Sequence, residues 1–541
     1  MNETNHPDAD RYDVVIVGAG VCGIYMLYKL REQGLNVTVI DRAEGPGGTW
    51  YWNRYPGARF DSESYTYGYS FSQELLDEWD WSEHFAGQPE TLRYMNYVVD
   101  RFDLRQYMQF GVTMQSAAYQ QPTHTWQVNL SDGRTLETRF LCTAVGMLSA
   151  ATLPSIPGRE SFAGPAFHTY YWPHEPVPMA GKRVAVIGTG ATGVQVISEI
   201  ADRVDSLTVF QRRPNWCAPL HNSPISKTEM HQIRSRYQEI FDQCRSTPNG
   251  FLHGPDRRVF EEVSLEDRHA FWEELYASPG FGIWLGNFRD VLMDPAANAE
   301  FSAFVADKIR GRVHDPVTAE KLIPTDHGFG TRRVPLETRY YEAYNYDHVR
   351  LVDINETPIE RITPEGIQTT EELHEFDLIV YATGFDAISG SYDRMEIIGR
   401  DDLKLADKWR DGPVTYMGMQ VHGFPNLFTL AGPQSASVGT NFPLTIESVV
   451  EWTANFIEFL NEHGYETVEA TRDAEQAWVE HVKSGYDRSL LANSKSWFTG
   501  YNSNVKGHDV LRYMIYLQGG PAFREHLADE AAHDYTSFRL Q

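Results

Sequence analysis

Two short stretches fix most of what this chain can fold into. YDVVIVGAGVCG runs from an apolar, β-branched segment into Gly18, Gly20 and Gly23, and KRVAVIGTGATG repeats the pattern at Gly188, Gly190 and Gly193, with Thr189 after the first glycine. A buried parallel strand that feeds a tight turn and opens a helix needs glycine at those three places. The first permits the turn, the second lets backbone approach a pyrophosphate, and the third lets helix and strand pack closely. The helix N-terminus behind the turn offers oriented N–H donors to phosphate. One such motif is weak evidence. Two of them, each after an apolar run, predict an α/β chain with two Rossmann-like dinucleotide-binding domains, and 541 residues leave room for a third region.

The strands that follow tell the two units apart. NVTVIDR ends in Asp41, and SLTVFQR, at the same distance from its glycines, ends in Gln211. A carboxylate there accepts hydrogen bonds from a ribose 2′-OH and repels a 2′-phosphate. Neutral Gln211, followed by Arg212 and Arg213, suits a 2′-phosphorylated nucleotide. Arg42 occupies the place equivalent to Arg212, so the lost acid and the added Arg213 carry the distinction. The first unit therefore reads as an FAD site and the second as an NADPH site.

The pieces TWQVNL and ETRFLCTAVG suggest a small β excursion completing the first domain. Residues 224–330 read as a helical insert. Asp294-Pro295 and Asp315-Pro316 each place a capping acceptor before a proline suited to a first helical turn. Phe301, Phe304, Val305 and Ile309 then share one face, a stripe read as core packing. DLIVYATGFDA and NLFTLAGP read as later buried strands, the second returning to the FAD domain and making it discontinuous. The expected organisation is residues 1–150 and 385–541 for the FAD-binding domain, and 151–223 and 331–384 for the NADPH-binding domain around the insert.

A net charge of −27 sets the chain against nucleic acid and anionic membranes. The polar N-terminus has no apolar signal region, and no stretch is a good membrane span. The four cysteines form no C-x-x-C pair, which disfavours a disulfide scaffold, a zinc site or a dithiol centre and points to a reducing, cytoplasmic setting. No metal is expected. NADPH and FAD sites on one chain imply hydride transfer from nicotinamide to flavin. Without a dithiol or a metal cluster, dioxygen is the remaining electron acceptor, giving either a flavin peroxide that attacks a substrate or free hydrogen peroxide.

Between the two units lies FAGPAFHTYYWP, residues 162–173. It resembles the fingerprint F-x-G-x-x-x-H-x-x-x-W-P of type I Baeyer–Villiger monooxygenases, matching at Phe162, Gly164, His168, Trp172 and Pro173. Related flavin N- and S-oxygenases match up to the His but typically end in Tyr-Lys or Tyr-Arg. GGTWYWNRYPGARFDSES, GTGATGVQ, VFQR, ATGFDA and SWFTGYN extend the resemblance over essentially the whole chain. The resemblance implies NADPH- and dioxygen-dependent conversion of ketones to esters or lactones through a flavin peroxide. It places the active-site arginine at Arg333 in GTRRVP, the carboxylate that orients it at Asp61, and a basic residue near the 2′-phosphate at Arg332. A fixed guanidinium in a water-poor pocket suits the anions of such a reaction.

By the same resemblance Gly48, Thr49, Trp50 and Tyr67 lie near the flavin, Met114 near its adenine, and Trp497 against the nicotinamide nucleotide. His168 and Trp172 couple nucleotide binding to domain movement. The loop SASVGTNFP lines the ketone pocket with Val438 and Phe442, and its lack of arginine points to an apolar cyclic or aryl ketone. Many family members read G-A-N-I-P-G-K where this chain reads GYNSNVKG, residues 500–507, so Asn504 stands in place of the proline in a loop expected to close over the cofactor. Two other readings stay open: a flavin N- or S-oxygenase, and an FAD/NADPH redox-responsive binding protein without turnover.

Overall fold

The computed structural model describes residues 10–436 and 439–541. Two sheets organise the chain. In the first, strands Asp10–Val17, Val37–Asp41 and Met108–Phe110 run parallel, and Thr135–Thr143 flanks Asp10–Val17 on its other side, also parallel. Val14 to Val17 are buried, the continuous apolar run of a strand covered on both faces. The excursion Met114–Gln120 and Thr125–Leu130 is antiparallel, and Trp126, Val128 and Leu130 alternate inward along it. Leu427–Thr429 pairs in parallel with Thr135–Thr143, so a strand from late in the chain completes the sheet that residue 10 opens.

The second sheet is parallel throughout, in the order Val349–Asp353, Ser206–Gln211, Arg183–Ile187, Leu378–Tyr381, Ala166–His168. Its edge strand is part of the fingerprint. In both units the strand–turn–helix passes through a glycine that only glycine favours, Gly18 at φ 112° and Gly188 at φ 111°. The third glycines are equally constrained: a Cβ on Gly23 would stand 1.8 Å from the Gly18 carbonyl oxygen, and one on Gly193 would stand 2.2 Å from that of Gly188.

The insert is helical. Asp294 accepts from the N–H groups of Ala296 and Ala297 at the start of helix Pro295–Arg312, and Asp315 caps Pro316–Lys321. The stripe Phe301, Phe304, Val305 and Ile309 is buried, with Trp272 of helix Leu265–Ala277 packed on Phe301 at 5.1 Å. Among the described residues no helix is long and apolar enough to cross a membrane.

Candidate active site

A cavity of about 440 Å³ opens at the C-terminal ends of the first sheet, where Val17, Asp41 and Ala144 end their strands or follow them. Gly18, Gly20, Gly48, Thr49, Trp50, Asp61, Tyr67, Met114, Arg333, Phe442 and Trp497 also line it. The crevice outside the carboxyl ends of parallel strands is where such folds bind ligands. Helix Val21–Glu32 begins at Gly20 without a side-chain cap, leaving its first N–H groups for an anion. Gly48, at φ 53°, packs backbone to backbone on that turn, since a Cβ on it would meet the Gly20 Cα at 2.7 Å. Asp41 accepts the N–H groups of Ala19 at 2.6 Å and Ala43 at 2.8 Å, which fixes its carboxylate at the turn while burial pushes its pKa up. Trp50 donates to the Tyr67 hydroxyl at 3.1 Å, and Phe60 stacks on the Tyr67 ring at 4.3 Å. Uncapped helix, glycine turn and carboxylate together suit a dinucleotide such as FAD.

Asp61 and Arg333 come from distant parts of the chain and meet in this cavity. Arg333 donates through Nη2 to Asp61 Oδ2 at 2.8 Å, and Asn215 Nδ2 holds the Arg333 carbonyl at 3.1 Å. The guanidinium lies over the rings of Phe281, at 4.5 Å, and Trp284, at 5.6 Å. Burial pushes the Asp61 carboxyl up against the pull of Arg333 and Arg59, and pushes Arg333 down against the pull of Asp61. Arg333 keeps 28% of its side-chain surface accessible and Asp61 keeps 9%. Asp61 Oδ1 is buried and has no hydrogen-bond partner among the described groups.

Several lining residues escape the sequence reading. Phe251, Phe281 and Trp284 reach the cavity from the insert, and the apolar run FGIW is the one local signal of the last two. Arg42, weighed there only as a nucleotide discriminator, donates to the Tyr170 hydroxyl at 2.7 Å and the Ser149 carbonyl at 2.9 Å, and sits over the Trp52 ring. Tyr170 belongs to the fingerprint, at one of its unspecified positions.

The fingerprint therefore spans both units. His168 ends an edge strand of the second sheet, Tyr170 lines the cavity of the first unit, and Trp172 is buried against Phe167 in the core of the second. His168 Nδ1 accepts the Tyr170 N–H at 3.1 Å, so its Nε2 carries the proton and donates to the Gly384 carbonyl at 3.2 Å. Burial lowers the imidazole to about 4, which keeps it neutral near pH 7.

In the second unit, helix Ala191–Ile200 starts at Gly190 without a side-chain cap, and a Cβ on Gly190 would meet nothing within 4 Å. Open space and uncapped N–H groups leave room for a phosphate there. Gln211 does not face the turn: it is buried, and its Nε2 donates to the Lys321 carbonyl at 2.7 Å. The arginines do converge. Arg332 donates to Asp326 at 2.9 Å, Arg213 stands 3.8 Å from the same carboxylate, and Thr189 Oγ1 holds the Arg213 carbonyl at 2.8 Å. Burial first, then repulsion from Arg213 and Arg332, lowers the pKa of Arg212. One carboxylate among three guanidiniums leaves a surplus of positive charge, which suits the 2′-phosphate of NADPH. Phe442 opens helix Phe442–Glu462, whereas Val438 lies outside the described residues.

Residues 15–247 match the family described as pyridine nucleotide-disulphide oxidoreductase. Cys22, Cys142, Cys217 and Cys244 are all buried and unpaired. The chain is 45% identical over 543 residues to the 2-oxo-Delta(3)-4,5,5-trimethylcyclopentenylacetyl-CoA monooxygenase of Pseudomonas putida, covering 99% of this chain and 100% of that one. It is 39% identical over 529 residues to a Baeyer–Villiger monooxygenase of Pseudooceanicola batsensis, covering 97% and 96%. The crystal structure of OTEMO in complex with FAD and NADP superposes with a TM-score of 0.95 at 45% identity, covering 99% of this chain and 100% of that chain.

Proposed function

This chain belongs to the type I Baeyer–Villiger monooxygenases, and from that premise we propose that Arg333 and Asp61 carry the family's reaction here. The enzyme oxidises ketones to esters or lactones with NADPH and dioxygen on FAD. When bound, the flavin, reduced by NADPH, activates dioxygen and supplies the oxygen atom that is inserted beside the carbonyl.

The protein's part is electrostatic. As the ketone carbon becomes tetrahedral, negative charge grows on the former carbonyl oxygen. A preorganised cation in a water-poor cavity stabilises that charge without reorienting solvent. Arg333 stays charged despite burial because guanidinium is so strongly basic. Asp61 anchors it at 2.8 Å, and Phe281 and Trp284 hold its plane. Phe60, Phe251, Phe281 and Phe442 keep the cavity wall apolar and exclude water. The buried, unpaired Asp61 Oδ1 supports a site completed by a bound donor.

The cavity's arginines are each engaged: Arg42 with Tyr170, Arg59 with Glu83, Arg333 with Asp61, and Arg394 with the Ala151 carbonyl. The loop SASVGTNFP carries no arginine, which supports an apolar cyclic or aryl ketone over a polyanionic coenzyme-A ester of the kind named for the Pseudomonas putida relative. The acidic chain fits a protein with no nucleic-acid or membrane partner, and its buried unpaired cysteines fit the cytoplasm.

The observation that carries the proposal is one cavity holding both the first glycine turn and the Arg333–Asp61 pair. Arg333→Ala should lower ester formation by roughly 100-fold to 1000-fold while the protein stays yellow and NADPH still bleaches the flavin. Ester formation at the wild-type rate would refute the assignment. A panel of cyclic and aryl ketones, coenzyme-A keto esters, amines and sulfides, compared by initial rate, checks the substrate class.

A further inference from the structure

The chain crosses between its two sheets at two places, after Thr135–Thr143 and after Leu378–Tyr381, and these crossings pair with each other. Ala151 bridges Phe385, the Thr152 N–H donates to the Gly384 carbonyl at 3.0 Å, and the Asp386 N–H donates to the Ala150 carbonyl at 2.8 Å. His168 of the fingerprint grips this hinge at the Gly384 carbonyl.

A segment from near the C-terminus grips the next two residues. Asn502 Nδ2 donates to the Phe385 carbonyl at 2.8 Å, and His508 Nδ1 stands 2.9 Å from Asp386 Oδ1. The base of this segment is tied by Arg512, itself 4% exposed. Its backbone N–H donates to Thr499 at 3.0 Å, and its guanidinium to the Gly500 carbonyl at 2.8 Å. On the other side Ser503 Oγ accepts from Arg212 at 2.7 Å, and the Tyr501 ring lies 6.0 Å from the Arg213 guanidinium. One short segment thus joins the arginine cluster of the second unit to the interdomain hinge.

The imidazole's protonation follows from its neighbours. His508 Nε2 faces Arg512 Nη1 at 3.2 Å, and guanidinium can only donate. Nε2 is therefore the acceptor, and the proton sits on Nδ1, facing Asp386. The Nδ1 contact lies off the hydrogen-bond axis, and neither buried atom has another hydrogen-bond partner among the described groups. Asp386, Asp393 and His508 also offer ligand atoms within 4.8 Å of one another. Arg512 attracts both carboxylates and Arg394 attracts Asp393, so the positive charge a metal ion would bring is already supplied.

We propose that Asp386, His508 and Arg512 form a latch that seats residues 500–512 on the hinge and thereby holds NADP⁺ in place. They are positioning residues, not catalytic ones. The proposal rests on reading the Arg212–Arg213–Arg332 cluster as the 2′-phosphate site.

The test uses full-length, FAD-loaded enzyme carrying His508→Ala, Asp386→Leu or both, with NADP⁺ affinity read by flavin difference spectroscopy. Tryptic cleavage after exposed Lys506 reports seating of the segment. In the wild type, saturating NADP⁺ should slow that cleavage. Each single variant should bind NADP⁺ about tenfold more weakly and lose the protection, with the flavin spectrum unchanged. The double variant should lose less than the sum of the two single losses, because both remove the Asp386–His508 contact. Wild-type affinity and protection in His508→Ala would overturn the latch, and so would additive losses in the double variant. Asp386→Leu is close to Asp in shape and has no acceptor, so it keeps the test open if His508→Ala fails to fold. Arg213→Ala tests the phosphate reading separately: unchanged NADP⁺ affinity there would remove that premise.

Discussion

Gly23 and Gly190 answer different demands. Gly23 sits where a Cβ would lie 1.8 Å from the Gly18 carbonyl oxygen, and no side chain can move aside because the obstacle is backbone. Gly190 has an ordinary φ of −76°, and its Cβ position is open. Alanine at 190 therefore costs the fold little and fills space that a phosphate would use. Gly190→Ala should keep its flavin spectrum and its melting temperature, yet raise the KM for NADPH about tenfold or more. Gly23→Ala should yield little FAD-loaded protein, because helix and strand can no longer close. Steady-state kinetics and thermal melts decide this. An unchanged KM in Gly190→Ala would mean that the second turn is not approached by the nucleotide.

At the scale of elements, helix Phe442–Glu462 carries a buried acid one and a half turns behind the cavity. Both Glu447 carboxylate oxygens are engaged by Ser70, through its N–H and its hydroxyl, and Arg245 donates to the same hydroxyl. Burial outweighs these bonds and raises the Glu447 pKa to about 7. The folded protein thus holds a proton there at pH values where the unfolded chain has lost it. Stability from this group is complete below the ordinary carboxyl pKa and falls as pH rises towards 7, by up to roughly 3 kcal/mol. Glu447→Gln should therefore melt near the wild-type temperature at pH 5 and above it at pH 8. A difference that does not change with pH would show that Glu447 does not titrate in this window. Elements such as this helix were unevenly legible. Asp294 and Asp315 announced helix starts because capping is local chemistry. The apolar run FGIW marks Phe281 and Trp284 for burial but not for a cavity, because which apolar face of an insert meets a cavity is set by tertiary packing. Gln211 reads in the sequence as the neutral residue standing where a ribose-binding acid would be, and nothing local to it shows that its amide is taken up by the buried Lys321 carbonyl.

Over the whole molecule, the sequence carries the two nucleotide units plainly, because strand, glycine turn and helix are neighbours in the chain. It even carries the return of NLFTLAGP, since a buried parallel strand is a continuous apolar run. The active-site pair is another matter. Asp61 and Arg333 are 272 positions apart, and no periodicity joins them. Only the motif resemblance placed them together. The hinge was still less visible: His168 stands in the fingerprint, but its partner carbonyl at Gly384 and the neighbouring grip of Asn502 and His508 emerge only when three distant segments meet. That joining of units makes nucleotide binding a property of the whole fold, and it can be weighed as such. A ligand that binds only the folded state stabilises it by about 2.7 kcal/mol at 100 times its Kd, which for a chain of this length raises the melting temperature by roughly 3 °C. NADP⁺ should do so on the FAD-loaded enzyme, and NAD⁺ at equal concentration should do much less, because only NADP⁺ brings the 2′-phosphate to Arg212, Arg213 and Arg332. Arg332→Ala should narrow the gap between the two ligands by weakening NADP⁺ alone. An equal shift from NAD⁺ and NADP⁺ in the wild type would show that the guanidinium cluster reads something other than that phosphate.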